Sequence, residues 1–498
     1  MNSLFRTKSI DRLIADSEDP ARRLAKTLGP WSMAALGIGA VIGSGIFILT
    51  GTAAAGEVRA YESVLHAPLL DLLLEGPSSI ASIGRPGAGP GIALSFFLVA
   101  VACSFAALCY AELASMIPVA GSAYTYAYAT LGEIFAWIIG WDLILEYAVS
   151  NMAVAVGFSA YFNDVLHALF GVSLPKHLSE PMFVGGVMTG SWFNLPSFLI
   201  LMLLTVLLVW GVRESARANN VMVAVKIAAI LIFVFGAARA VQVENWEPFM
   251  PNGFPGVLTG AAIVFFTYIG FDSVSTAAEE CRRPQRDLPF GIIVSLIVCT
   301  LLYVSVALVL TGVANWKSLN SAAPVADVLR NLGYHKIRAV VGIGALVGMI
   351  SSLLVFQYGQ TRIWFAMSRD KLLPDAFSSV HPDYRTPHLS TWVAGVIVGI
   401  PAGIWDIGTF ADLANIGTLF AFVVVSAGVI VLRKKQPDRP RGFRVPWVPV
   451  LPSISIFFCA ILMTSLPIET WIRFFLWLVI GLAIYWFYGR RRTSSIDW

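Results

Sequence analysis

Apolar residues fill this chain in long runs separated by short polar segments, and each run is close to the roughly 20 residues that an α-helix needs to cross a bilayer core. Twelve spans are predicted, near residues 30–55, 90–117, 131–162, 195–211, 219–241, 256–279, 287–312, 337–366, 388–406, 408–432, 449–466 and 470–489. Between the first two lies a longer segment, Glu57 to Gly91, in which Val64, Leu65, Leu69, Leu72 and Leu73 recur at helical spacing. That spacing predicts a short amphipathic helix within Val58–Glu75, and the Gly-Pro-rich residues 84–91 return the chain to the membrane. The insert is either a lid or surface decoration, and decoration is favoured. Residues 163–194 and 313–336 are predicted on the same side, the latter with a helix-like stretch from Val325 to Leu332.

Polar interruptions inside the runs matter more than their ends. The first run contains Gly39-Ala40-Val41-Ile42-Gly43-Ser44-Gly45-Ile46-Phe47, and each glycine costs roughly 1 kcal/mol relative to alanine in a helix interior. The first span is therefore predicted to break in its middle. Backbone groups freed at bilayer depth need protein, water or a ligand to take them up. The second half-helix would aim its positive end, with the amides near Ser44 and Gly45, at a carboxylate. A small-residue packing face is the competing reading. The sixth run carries a glycine at mid-depth and an acid beside it, Tyr268-Ile269-Gly270-Phe271-Asp272. Spans one and six each open a set of five, the spacing of an inverted repeat whose two interrupted helices cross at the midplane. Lys226, Glu146 and Asp272 are charges placed inside spans, where each costs about 2.5 to 3.5 kcal/mol on insertion scales. For Lys226 the alternative is snorkelling toward the membrane surface.

Composition agrees with a polytopic membrane protein and excludes a soluble domain. Of 498 residues 57% are apolar and 13% charged, with a mean hydropathy of +0.75, against about 45 to 50% apolar and about 25% charged in soluble domains. By the predicted spans, 23 Lys and Arg fall on the side of the N-terminus and eight on the other, which orients both termini to the cytoplasm. The net charge of +4 is this bias spread over loops, so nucleic acid is not expected as a partner. The first 28 residues mix both signs without an apolar core, which reads as a cytoplasmic tail rather than a signal peptide. Five cysteines offer no disulfide or metal spacing, and the six histidines share no spacing that would mark an enzyme's site. No repeated filter motif or charge ring points to a channel. No cofactor is expected.

Several motifs taken together resemble the amino acid-polyamine-organocation superfamily, most of all its cationic amino acid transporter family. They are Gly43-Ser44-Gly45-Ile46-Phe47; Tyr110-Ala111-Glu112-Leu113-Ala114-Ser115-Met116-Ile117-Pro118 followed by Gly121-Ser122-Ala123-Tyr124; Tyr268 to Asp272; Tyr358-Gly359-Gln360-Thr361-Arg362; Met367-Ser368-Arg369-Asp370; and Arg441 to Pro446. The resemblance runs from about residue 27 to 489, and the insert at 57–91 departs from it.

The resemblance implies an all-α fold with two inverted five-helix repeats plus two extra helices, helices 1 and 6 being broken. The corresponding divisions are a tail at 1–29, a first repeat at 30–241 with its insert at 57–90, a second repeat at 242–432, two helices at 433–489 and a tail at 490–498. It implies an amino acid transporter of a cell membrane, plasma or bacterial inner, with proton symport expected and exchange or amino acid sensing as alternatives. A small accessory membrane subunit is left open as a partner besides the substrate, protons and lipid. Carried over by motif, Gly43, Ser44 and Gly45 would hold the substrate carboxylate, while carbonyls near Val41, Ile263, Phe266 and Ile269 would hold its ammonium. Phe266 would gate the site, and packing is its alternative role. Ser352, Val355 and Phe356 would end the side-chain pocket. Lys226 would stand where sodium-coupled relatives of this fold bind their cation, near Ser351 and Ser352. Glu146 and Asp272, read from their place inside spans, are expected as partners, as proton-coupling carriers or, facing the pocket, as ligands for a basic side chain. Glu112 is expected in a structural or gating bond.

Overall fold

A computed structural model describes residues 5–17, 26, 28–76, 82–119, 121–210, 215–382 and 386–493. Arg22 and Arg23 of the predicted N-terminal tail, and residues 494–498 of the C-terminal one, lie outside the described residues.

All twelve predicted spans are helical. Span 1 is Pro30–Val41 with Gly45–Ala55, span 2 Ile92–Met116, span 3 Glu133–Phe170, span 4 Leu195–Trp210, span 5 Ser215–Ala237 and span 6 Gly253–Val264 continuing to Glu280. Span 7 is Pro284–Val313, span 8 His335–Arg369, span 9 His388–Ala402, span 10 Ile407–Lys435, span 11 Val450–Thr464 and span 12 Ile468–Ile484 with a further turn or two. Among the described residues eight helices are long and apolar enough to cross a membrane singly, the bent span 1 makes nine, and spans 4, 9 and 11 are shorter apolar helices. The chain is a multi-pass membrane protein. Local chemistry sets several ends: Pro30 and Pro284 sit in first turns, where a missing N–H costs nothing. Asp406 caps span 10 by accepting from the amides of Gly408 and Thr409.

Four pairs of spans five places apart pack together: span 1 across span 6, span 2 along span 7, span 3 along span 8 and span 4 along span 9. Spans 5 and 7 close around span 1, while span 10 lies against spans 2, 3 and 11.

The face that carries both termini is held by many ties. Leu28 pairs in a short β-bridge with Cys281, just past span 6. Glu280 accepts from Tyr358 and pairs with Arg362 of span 8 at 2.7 Å. A short helix, Ile10–Ser17, buries Ile10 and Leu13, and Lys8 reaches Asp370 at the end of span 8, 3.3 Å away. Glu112 of span 2 accepts from Arg433 and Arg441 and from the Val445 amide. That pins the Arg441–Pro446 motif in place, a structural bond.

The opposite face differs from the sequence reading. Of the helix predicted within Val58–Glu75 only Leu69–Glu75 and a 3₁₀ turn, Val64–His66, are helical; ahead of them runs strand β1, Gly56–Ser63, paired antiparallel with β2, Ser82–Pro86. The paired positions run from Ser63 with Ser82 to Gly56 with Pro86, far apart along the chain, so periodicity within the segment carries no trace of the pairing. Span 3 also runs eight residues beyond its predicted end, to Phe170. The predicted stretch at Val325 is helical over Pro324–Asn331.

Candidate substrate site

The two interruptions meet in the middle of the bundle. Span 1 bends by 44° between Val41 and Gly45. Span 6 passes from α-helix into a short 3₁₀ stretch, Phe265–Tyr268, then through Ile269 in extended conformation and Gly270 at φ +119°, where a side chain is strained. A Cβ on Gly270 would lie 2.8 Å from the Ala40 Cβ and 3.2 Å from the Val41 nitrogen, so the backbones touch only because that side chain is missing.

The span 1 break releases carbonyls, as a helix interruption must. Those of Gly39 and Ile42 accept from the Lys226 ammonium at 2.7 and 3.0 Å. The Ser352 hydroxyl lies 2.9 and 3.0 Å from the same two oxygens and 3.3 Å from that of Gly348, donating to one at a time. Gly348 gives room for the lysine stem, since a Cβ there would stand 3.2 Å from Lys226 Cβ. Lys226 is wholly buried, so it does not snorkel. Ser351 turns away and donates to Asn219, whose amide donates to the Ala35 carbonyl.

The Val41 carbonyl accepts from the Gly43 amide at 3.0 Å and lies 2.9 Å from the hydroxyl of Tyr303 in span 7. The same hydroxyl is 2.9 Å from the Thr267 carbonyl in span 6, so one side chain spans both breaks. Tyr303 was not singled out from sequence. The available signal was a phenol in an otherwise apolar span, which needs a partner when buried.

On the other side of the break, the Phe47 and Ile48 amides close back on the Ser44 carbonyl. The preceding amides, at Gly45 and Ile46, head the half-helix and find no partner inside it. The Ser44 hydroxyl is buried and makes no hydrogen bond. A Cβ on Gly45 would come within 2.7 Å of the Thr267 methyl and 3.3 Å of the Phe266 ring. Phe266 thus stands beside the head of the half-helix, and Gly45 is small because span 6 crosses there. A Cβ on Gly43 would stand 3.3 Å from the Ser352 hydroxyl. In span 6, Ile263 lies in the last turn of the α-helical part, the Phe266 carbonyl accepts from the Ile269 amide at 3.2 Å, and all three residues are buried. Phe356, one turn after Ser352, meets Tyr147 of span 3 edge to face, with centroids 5.8 Å apart.

Glu146 lies in electrostatic reach of Asp272 in span 6 and of Asp142, one turn before it in span 3. Both carboxyl oxygens of Asp142 and the hydroxyl of Tyr110 are buried without a hydrogen bond. Among the described residues none of the three acids pairs with Lys226, whose ammonium is held by carbonyls. Asp142 escaped the sequence reading although its spacing to Glu146 places both on one helix face. Among the described residues no group of His, Cys, Asp and Glu is arranged to hold a metal ion.

A sequence profile described as amino acid permease matches residues 28–485. The chain is 48% identical to the branched-chain amino acid permease BcaP of Bacillus subtilis and 44% identical to the methylthioribose transporter of that organism, over 99% of each chain in both comparisons. It is 34% identical to cationic amino acid transporter 9, chloroplastic, of Arabidopsis thaliana, over 95% of this chain and 90% of the relative.

Proposed function

The chain belongs to the amino acid permease family of the amino acid-polyamine-organocation superfamily, and from that membership we propose that it is a proton-coupled symporter of neutral L-amino acids working by alternating access. It is a transporter and not an enzyme. The observation that carries the coupling is the Lys226 ammonium held on the Gly39 and Ile42 carbonyls together with the Ser352 hydroxyl. A cation placed there ties span 5 and span 8 to the break in span 1. Loss of its proton releases the tie, and the two facing states are then weighted differently. About 1.4 kcal/mol of difference shifts their ratio tenfold.

In this reading the carboxylate of the substrate sits on the Ser44 hydroxyl and the Gly45 and Ile46 amides, beside Gly43. Its ammonium sits toward the carbonyls of Val41, Ile263, Phe266 and Ile269, with the Phe266 ring over it. Phe356 packed on Tyr147 supports an apolar end to the pocket, which suits side chains of alanine size upward over arginine. The likeness to a branched-chain permease makes leucine, isoleucine and valine the first substrates to try. Glu146 and Asp272 serve as further proton carriers, their complete burial inside the bundle supporting that role. The charge bias of the loops supports a cytoplasmic location for both termini in a plasma or bacterial inner membrane.

The deciding experiment is uptake of labelled leucine, isoleucine, valine and alanine into proteoliposomes under an inward proton gradient. Symport predicts uptake into empty vesicles; uptake only when amino acid is preloaded marks an exchanger, and binding without uptake marks a sensor.

A further inference from the structure

The insert between spans 1 and 2 is tied to both interrupted helices of the bundle. Strand β1 continues directly from the half-helix Gly45–Ala55, and the Ala88 amide after β2 returns to the Ala53 carbonyl at 2.9 Å. Asn252, at the head of span 6, donates to the Gly87 carbonyl at 2.8 Å. At its far end the insert is sewn to the turn between spans 11 and 12, with Leu69 donating to Leu466 and Ile468 donating to Ala67, both at 3.0 Å. Across the hairpin, Glu57 stands opposite Arg85 in register.

Arg85 is only 5% exposed although it lies beyond the ends of the spans. Its Nε and Nη2 donate to Glu57 at 2.8 and 2.6 Å, and its Nη1 and Nη2 donate to the two carboxylate oxygens of Asp412 at 3.0 and 3.1 Å. Asp412 is in the second turn of span 10 and is equally enclosed. Burial opposes the charge on Arg85, but the Asp412 and Glu57 carboxylates outweigh it and hold the guanidinium pKa above its usual value. The two-pronged geometry fixes direction as well as distance. The hairpin therefore grips span 10 while remaining continuous with the half-helix that presents the Ser44–Ile46 head.

We propose that Arg85 is a positioning residue for transport: its grip on Asp412 closes the insert face over the central site, and the pair separates when that face opens. The inference rests on the alternating-access reading above and adds to it that the half-helix after Gly45 and the head of span 6 part from span 10 to admit substrate from this side. A buried ion pair suits such a device because it has two tolerable states. It is satisfied when dry and paired, and satisfied again when both partners are hydrated, whereas the half-open arrangement leaves desolvated charges apart. The closed and open faces are thereby separated into discrete states.

Two measurements on the full chain in proteoliposomes test this. In the first, Arg85→Gln, Asp412→Asn, the double variant and Arg85→Lys are compared for leucine uptake and for leucine binding, with thermal midpoints recorded. The expected result is a loss of maximal uptake of about tenfold in either single variant, no further loss in the double, binding kept within about threefold, and substantial recovery in Arg85→Lys. In the second, Leu49→Cys places a thiol in the buried half-helix, and a membrane-impermeant maleimide is added on the insert side. All five native cysteines are buried, so background labelling is low. Labelling of the Leu49→Cys variant should rise at least about fivefold when Arg85→Gln is added. Unchanged uptake together with unchanged labelling overturns the proposal. So does a joint fall of binding, uptake and thermal midpoint that lysine does not rescue, since that is a folding role. If the unaltered chain moves no amino acid at all, the transport reading fails, and the labelling result still decides whether Arg85 holds this face shut.

Discussion

The Lys226 ammonium and the Ser352 hydroxyl converge on one pair of acceptors, the Gly39 and Ile42 carbonyls, although they come from spans 5 and 8 and stand 126 positions apart in the sequence. Removing the ammonium leaves the serine hydroxyl, with a single proton to give, facing two buried oxygens. Lys226→Ala should therefore abolish uptake driven by an inward proton gradient while substrate binding persists. Sodium-dependent, pH-insensitive uptake by the unaltered protein, or undiminished proton-driven uptake by the alanine variant, would remove Lys226 from the coupling role.

Tyr303→Phe deletes one oxygen and keeps the ring against Tyr268 and Phe96. The Thr267 carbonyl then loses its donor, at about 1–3 kcal/mol for a buried unsatisfied group, while the Val41 carbonyl keeps only the Gly43 amide. The thermal midpoint should fall by a few degrees, and leucine affinity should weaken by about tenfold because the relative placement of the half-helices is no longer fixed. Unchanged affinity would show that the substrate does not sense this bridge.

At Gly45 even a methyl group meets the Thr267 side chain. Gly45→Leu should abolish substrate binding in a protein that still folds, and overpacking of this kind costs about 1–3 kcal/mol. Calorimetric titration with leucine reads the binding and a melting curve reads the cost; binding at the unaltered affinity would displace the carboxylate site from this half-helix.

Phe356 sets the length of the side-chain pocket in the proposed reading. Against labelled leucine, neutral amino acids should compete at least as well as arginine and lysine in the unaltered chain. Phe356→Ala should shift the panel toward longer side chains. A panel in which arginine and lysine alone compete strongly would reverse the assignment of a neutral substrate.

Cys281 reports on the terminal face. Burial raises its thiol pKa to about 11, the Arg283 backbone partly offsetting this. A raised thiol pKa keeps the neutral form dominant below that value, so maleimide labelling should be slow near neutral pH and climb as the pH approaches 11. Leu28→Pro, which removes the amide donated to Glu280, should speed labelling at fixed pH. Equal rates in the two proteins would mean that the bridge does not cover the thiol.

What the sequence made legible was local. A cluster of three glycines and a serine announced the break in span 1, and a lone lysine in an apolar run announced a group that needed partners. Tyr303, Asn219 and the Arg85 grip were illegible for one physical reason. Each acts on an atom supplied by a distant part of the chain, in most cases a backbone oxygen that any residue type provides. The hairpin failed to show for a related reason: leucines spaced for a helix at 69–73 masked the strand before them, and Arg85 sat in a Gly-Pro-rich stretch that reads as linker. Gly45 was legible as a needed glycine, but the neighbour requiring it, Thr267, is more than 200 positions away.

The span 1 break also sets a schedule for biosynthesis. Its Gly39 carbonyl waits for a donor that lies 187 residues downstream in Lys226 and another 313 downstream in Ser352. At about 5–20 residues per second of chain growth, the lysine emerges roughly 10–40 seconds after the glycine. For that interval the nascent first helix carries unfilled acceptors at a depth where lipid cannot fill them. Until span 5 arrives those oxygens are left to water or to the insertion machinery, so span 1 takes up its broken form only once span 5 is in place.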